Sequence, residues 1–422
     1  QSDEIWEELI NKKFEFVSVS KSIDGNSVEF SAVKEVEARR VLLSSSSSNK
    51  GSTATTVGDD DGTNNSISVP KPKATRKLVV FPDAYAQGVV GGKSQSLASS
   101  AKVAKAAGCV VPVSFALPFG SFEKALKKDP ETKKALDQCL KIAASTVKTN
   151  DIDLRREALA MARKVVSEGL ELPDDFAQEL ESAVAETSSS TTSENKISVD
   201  ELWSSITGVW ASKWTERAFN SRIAVGIKET DLSVAVLNME LCDAKYAFVL
   251  HSKDPTDESD DDIMCGEICV GLGEALVGND PGRALGFRMN KKTKEVLEIT
   301  SQPSKPVRYI SPTTTTTMNN NTKKGKTCYI SRSDSNGEDL ENFAGAGLYD
   351  SIPTSKTIER ANDYAQCELI WNVQKRDEIL IKLCSLAIEI EKAHKSKAQD
   401  IEGCVLNDEA ETLVLLQTRA QV

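Results

Sequence analysis

The pattern of apolar and polar positions divides the chain into stretches of different character. KFEFVSVS and SVEFSAV switch every second residue, which predicts two short strands within residues 1–43 after a small helix. Some forty residues cannot bury a core, so 1–43 is read as the remnant of a preceding domain. Residues 44–77 then carry serine, threonine, glycine and asparagine with almost nothing to bury, the composition of a disordered linker. The pattern changes at residue 78. KLVV predicts a strand, GVVGG a glycine turn, KSQSLASSAKVAKAAG a helix, and VVPVSFALPFGSF a buried strand and turn. Residues 121–187 keep helical periodicity, 232–250 and 263–287 read as strands, 370–395 as an amphipathic helix, and TLVLLQT as a closing buried strand. Two polar runs, 186–197 and 312–326, read as surface insertions. The sum predicts an α+β domain over 78–422, in two lobes and without an internal repeat.

Composition narrows the function classes. The 422 residues are 39% hydrophobic and 27% charged, with a formal net charge of −11. That balance argues against nucleic acid and anionic membrane as partners, and an anionic ligand would need a local basic pocket. No apolar run reaches the roughly 20 residues that span a bilayer. The nine cysteines are odd in number and mostly sit in apolar runs, which predicts buried, reduced thiols rather than a disulfide framework.

Several constellations could carry chemistry. GVVGGKS, residues 88–94, falls one residue short of a phosphate-loop pattern, yet a glycine turn at a helix N-terminus with Lys93 suits phosphate; its bland reading is a strand-to-helix turn. In SRSDSNGEDLENFAGAGLYDS, residues 331–351, Arg332 is expected to emerge at a strand end as a phosphate fork, near Ser333, Glu338 and Asp339. The bland alternative there is a helical turn capped by Ser335 or Asn336. Near the C-terminus Asp400 and Glu402 are two apart on an extended segment and so point to one side, and a returning antiparallel strand brings Gln417 and Arg419. Two carboxylates and an amide oxygen are hard ligands of the kind Mg²⁺ takes; an ordinary charged hairpin is the competing account. VGLGEALVGNDPGRALGF, with Glu274 and Arg283, reads as a ligand-wrapping loop or a glycine-rich hairpin. His251 and His394 have no companions suggesting nucleophilic catalysis and are expected to be structural.

Seven ordered segments, VVGGKSQSLA, VPVSFALPFGSF, WASKWTERAF, YAFVLHSKDP, GLGEALVGNDPGRALGF, RSDSNGEDLENFAGAGLYDS and QDIEGCVLNDEAETLVLLQTR, resemble the C-terminal nucleotide-binding domain of α-glucan, water dikinases, plant plastid enzymes that phosphorylate starch. The chain is more distantly similar to the ATP-grasp-like domains of phosphoenolpyruvate synthase and pyruvate, phosphate dikinase. In those the arginine loop precedes the Trp-Ala-Ser segment, whereas here WASKW comes first and Arg332 later, the glucan, water dikinase order.

The resemblance implies an ATP-grasp-like, two-lobed domain with permuted motif order. It implies conversion of ATP, α-glucan and water to AMP, phosphoglucan and phosphate through a phosphohistidine on a swivelling domain. Lys93, Arg332, Glu240, Glu274 and Arg283 would contact ATP; Asp400, Glu402 and Gln417 would hold Mg²⁺ or position phosphates; Arg419, Ser333, Glu338 and Asp339 would support them. It also implies a plastid setting and glucan contact through domains outside this chain. The phosphohistidine motif is absent from these 422 residues, so no catalytic residue is assigned. Asn238-Met239-Glu240 stands where the family has Val-Gln-Glu, and Ala420 where it has proline. These departures frame the alternative, a divergent non-catalytic nucleotide-binding paralogue or partial chain.

Overall fold

The computed structural model describes the backbone of 17–21 and 28–32, and residues 69–187, 197–256, 260–278, 280–312, 327–340, 343–345 and 347–421. Most of the expected linker (44–68) and the centres of both polar insertions (188–196 and 313–326) lie outside the described residues. The chain divides into two units, Gln1–Asn65 and Ser66–Val422. In the first, the two expected strands, β1 (Val17–Lys21) and β2 (Val28–Ala32), pair antiparallel, and the small helix expected before them lies outside the described residues.

In the second unit, KLVV does not form a strand. Val80 makes a single bridge to Ala116, and Pro82, which has no N–H to donate, turns the backbone into a short 3₁₀ turn. Helix α1 (Gly92–Ala106) follows, then β3 (Cys109–Val110) and β4 (Ser114–Leu117). A helical block comes next: α2 (Ser121–Lys128), α3 (Pro130–Thr149), α4 (Ile152–Gly169), α5 (Asp174–Thr187), α6 (Val199–Ala211) and α7 (Glu216–Ala224). Its boundaries follow from side-chain capping. Asp129 accepts from Thr132 N with Pro130 in the first turn, Asp151 accepts from Leu154 N, and Ser198 forms a reciprocal capping box with Glu201.

The remaining strands build two sheets. β5 (Val234–Glu240), β11 (Tyr329–Ser335) and β14 (Ser351–Pro353) join β4 in a four-stranded antiparallel sheet ordered β14-β11-β5-β4. α6 packs on this sheet, with Trp203 and Trp210 edge to face in the core behind it. The larger sheet contains β6 (Ala244–His251), β7 (Ile263–Val270), β8 (Leu285–Asn290), β9 (Val296–Ser301), β16 (Gln399–Leu406) and β17 (Leu413–Ala420), ordered β3-β17-β16-β6-β7-β8-β9. All its pairs are antiparallel except β17 with β3, and β10 (Val307–Ile310) and β15 (Ile358–Ala361) form a separate antiparallel pair.

A long helix, Val373–Ala393, lies across one face of the larger sheet. Ile379, Leu383, Leu386 and Ile390 pack there against Phe248, Ile268, Phe287 and Ile401. Burying that face leaves the alternate side chains of the same strands for the other. Ile401 is fully buried, while its neighbours Asp400 and Glu402 turn toward the opposite, polar face. α1 packs on β17 and β3 and also reaches β11, so it touches both sheets. The mixed α and β architecture expected from the sequence is present.

Candidate nucleotide and metal site

Antiparallel register assembles the polar face. Across β6, β16 and β17, Asp400 stands opposite both His251 and Arg419, and Glu402 stands opposite Gln417. His251 Nδ1–H donates to Asp400 Oδ1 at 2.7 Å, and Arg419 Nε donates to Oδ2 at 3.1 Å. Burial would raise the Asp400 carboxyl, but the bonds from His251 and Arg419 outweigh it and hold the group below the usual range. The ladder bulges between Glu402 and Gly403. A Cβ at Gly403 would stand 2.3 Å from both the Phe248 ring and Val414 O, so the kink beside Glu402 requires glycine.

Arg332 arrives from the other sheet. It lies in the middle of β11 rather than at a strand end, because the strand runs on to Ser335. Its Nη2 donates to Gln417 Oε1 at 2.7 Å and lies 3.6 Å from Glu402 Oε2, and Nη1 donates to Leu416 O. Arg332 thus shares one spot between the sheets with Glu402 and Gln417, although Gln417 lies 85 positions further along the chain.

The GGKS turn meets a different fate from the one its composition suggests. Asp334 on β11 is fully buried and its carboxylate accepts from Gly91 N (2.9 Å), Lys93 N (2.8 Å), Ser94 N (3.4 Å) and Ser94 Oγ (2.6 Å). The first-turn amides of α1, expected to face phosphate, are satisfied by the chain's own acid. Lys93 Nζ points away to Glu338 Oε1 at 2.6 Å. Glu338 is held in turn by Ser333 Oγ (3.3 Å) and Ser335 N (3.1 Å). The capped helical turn does not form; Asp339 lies in β12 (Asp339–Leu340), a short hairpin strand paired with β13 (Phe343–Ala344).

Other expected residues stand apart from these two clusters. Glu240 ends β5, and its backbone N–H donates to Val113 O. Glu274 begins the short helix Glu274–Val277 and accepts from Thr357 Oγ1 at 2.9 Å; burial raises its carboxyl. Arg283 is exposed beside a cavity of about 340 Å³ lined also by Glu267, Ser301 and Lys305. WASKW is a core element: Lys213 Nζ and Arg222 Nη2 converge on Glu229 at 2.9 and 2.6 Å behind the sheets. Met239 faces the junction of the sheets with Leu97, Leu237 and Leu416, so it offers the cleft no polar group. His394 binds Ile390 O and plays no part in the site. Sequence reasoning missed the roles of Asp334 and His251. His251 does end its strand, as expected, but no local feature pairs its ring with Asp400 149 positions later, or Asp334 with residues some 240 positions earlier.

The donor set suits Mg²⁺. Asp400, Glu402 and Gln417 supply hard oxygens on one face, too few for a closed cage, and Mg²⁺ leaves its other positions to water and phosphate. Among the described residues no group of three or more His, Cys, Asp or Glu gathers to hold a metal, here or elsewhere, so the cation would lean on the Gln417 amide and on phosphate. All nine cysteines are free, seven of them buried.

Residues 191–422, from the approach to α6 through β17, match the family described as pyruvate phosphate dikinase, AMP/ATP-binding domain. The chain belongs to this family. Among curated relatives it is 34% identical over 363 residues to the alpha-glucan water dikinase, chloroplastic, of Citrus reticulata, covering 86% of this chain and 23% of that protein. To the alpha-glucan water dikinase 1, chloroplastic, of Arabidopsis thaliana it is 33% identical over 359 residues, covering 85% and 24%. A Streptomyces rifampicin phosphotransferase is 26% identical over 227 residues, covering 48% of this chain and 25% of its own. The chain thus spans about a quarter of the length of the dikinases it matches. The AMP/ATP-binding assignment fits the meeting of two cations, two carboxylates and an amide between two sheets.

Proposed function

We propose that this chain is the ATP-binding part of an α-glucan, water dikinase, working as an ATP-grasp-like clamp whose lobes are the two sheets. The observation that carries the proposal is Arg332, delivered from the smaller sheet onto Glu402 and Gln417 of the larger. In the structure Lys93 is held by Glu338, and Arg332 by Gln417 and Glu402. On binding Mg·ATP these partners exchange. Lys93 and Arg332 would turn to phosphate oxygens, Arg332 through its two-pronged fork, leaving Glu402 and Gln417 to join Asp400 in holding the cation. Bound Mg²⁺ would neutralise charge on the transferring phosphates. His251 and Arg419 keep Asp400 ionised and aimed, and Glu240, Glu274 and Arg283 are assigned to the nucleotide's remaining contacts.

The overall reaction proposed is ATP, α-glucan and water to AMP, phosphoglucan and phosphate, through a phosphohistidine supplied outside these 422 residues, in a plastid. Isothermal calorimetry with Mg·ATP tests the binding half; absence of heat at millimolar nucleotide would refute it. For the transfer half, the chain is mixed with β-³²P-ATP and a separately made phosphohistidine domain. AMP and labelled histidine are expected only in the mixture. Label reaching starch from the chain alone would contradict this division of labour. The second reading, a non-catalytic nucleotide-binding paralogue, draws on Met239, whose apolar side chain removes a polar contact from the junction. It predicts binding without AMP formation in the same mixture.

A further inference from the structure

We propose that Asp334 is a positioning residue of this site: by filling the N-terminal amide cradle of α1 from β11, it sets where Lys93 stands and reserves phosphate contact for the Lys93 ammonium. The inference rests on the nucleotide-binding reading above, but its geometry stands independently.

A helix N-terminus presents unpaired N–H groups and a partial positive charge, and it draws an anion. Here the anion is internal. Asp334 takes three amides and the Ser94 hydroxyl, and the N-cap residue of α1, Gly91, has no side chain to do so. The fit leaves no room for exchange: a Cβ at Gly91 would lie 2.4 Å from Asp334 Oδ1 and 2.5 Å from its carbonyl oxygen. An incoming phosphate therefore cannot enter the cradle without displacing a buried carboxylate. The same contact ties an element packed on the larger sheet to a strand of the smaller one, two residues beyond Arg332. Lys93 and Arg332 are thereby fixed relative to each other, which a ligand bridging them requires.

The charged and titratable groups facing Asp334 are Lys93 from α1, Glu338 from the turn after β11, and Tyr85 from the segment before α1; on β5 it stands opposite Ala235. Burial pushes the Asp334 carboxyl up to about 6, with Lys93 and the Ser94 hydroxyl restraining the rise. Its negative charge, and the grip on the amides that depends on it, is therefore lost as pH falls through about 6.

The test uses the whole chain. Hydrogen exchange in the ligand-free protein is expected to show the Gly91, Lys93 and Ser94 amides protected at pH 8 and at least about tenfold less protected in Asp334→Asn, as loss of a charged acceptor implies. Ser94→Ala, which deletes one bond and keeps the acid, is the second variant should the first fail to fold; a several-fold loss confined to the same turn is expected. Unchanged protection in either folded variant overturns the proposal whether or not the chain binds nucleotide. Calorimetry adds the functional readout. Mg·ATP affinity should fall about tenfold in Asp334→Asn, and the wild-type loss of affinity below about pH 6 should flatten in that variant. Equal affinities and parallel pH profiles overturn it. A wild type that binds no Mg·ATP refutes the functional reading instead, and exchange then decides the role of Asp334 alone.

Discussion

At the scale of single residues, the site depends on side chains that are already paired. Arg332 uses its fork on Gln417 and Glu402, and a lysine has no equivalent planar geometry. Arg332→Ala is expected to weaken Mg·ATP binding about 10- to 100-fold, the loss of charge-assisted hydrogen bonds worth roughly 1.5–3 kcal/mol. Arg332→Lys should recover only part of this; calorimetry on both variants checks the order. Asp400 makes a separate prediction. Its carboxyl is depressed in the fold, so the stability it contributes is complete above the unfolded value of 3.8 and is lost as pH falls below that. His251→Ala removes one of the two bonds that offset burial. A ¹³C-carboxyl titration should then find the Asp400 transition at higher pH; an unmoved transition would assign the depression to Arg419.

Elements carry the next set of consequences. The β16–β17 hairpin places Asp400, Glu402, Gln417 and Arg419 on one face because all four pair in a single register, which ends at the bulge between Glu402 and Gly403. Gly403→Ala forces a methyl into the Phe248 ring and Val414 carbonyl, and is expected to destabilise the fold by about 1–3 kcal/mol. Denaturant titration measures that cost. The α6–α7 region behaves differently. Lys213 and Arg222 are buried and share Glu229, so Glu229→Ala strands two buried cations and should cost about 3–5 kcal/mol, read from the shift in the unfolding midpoint. WASKW thus marks a structural junction, although in sequence it looked equal in kind to the motifs that reach the site.

For the molecule as a whole, ligand and fold are linked through the junction between the sheets. If Mg·ATP bridges Arg332 and Lys93 to the β16–β17 face, saturating ligand stabilises the chain by mass action, about 2.7 kcal/mol at 100 times Kd. Thermal unfolding should rise accordingly with Mg·ATP, and a chelator should remove most of the increment while leaving the ligand-free midpoint unchanged. A midpoint equally raised by ATP without Mg²⁺ would take the cation out of the site.

The sequence by itself determined what depends on short-range periodicity. Alternation pointed to the two strands within residues 1–43, and an extended segment put Asp400 and Glu402 on one side, because a pleated strand has a period of two. Helical periodicity marked the helices over 121–187, and the sum of predicted helices and strands set the α+β class. KLVV shows the limit of that logic: the residues suit a strand, but Pro82 and the neighbouring chain decide whether a ladder forms. Tertiary structure alone decided what each charge faces. Asp334 reaches GGKS across some 240 residues, His251 meets Asp400 across 149, and Arg332 meets Gln417 across 85. No local pattern encodes such pairings, since they arise from the packing of two sheets and from which face each buries. That packing turned a glycine turn that looked built for phosphate into one already filled by the protein's own carboxylate.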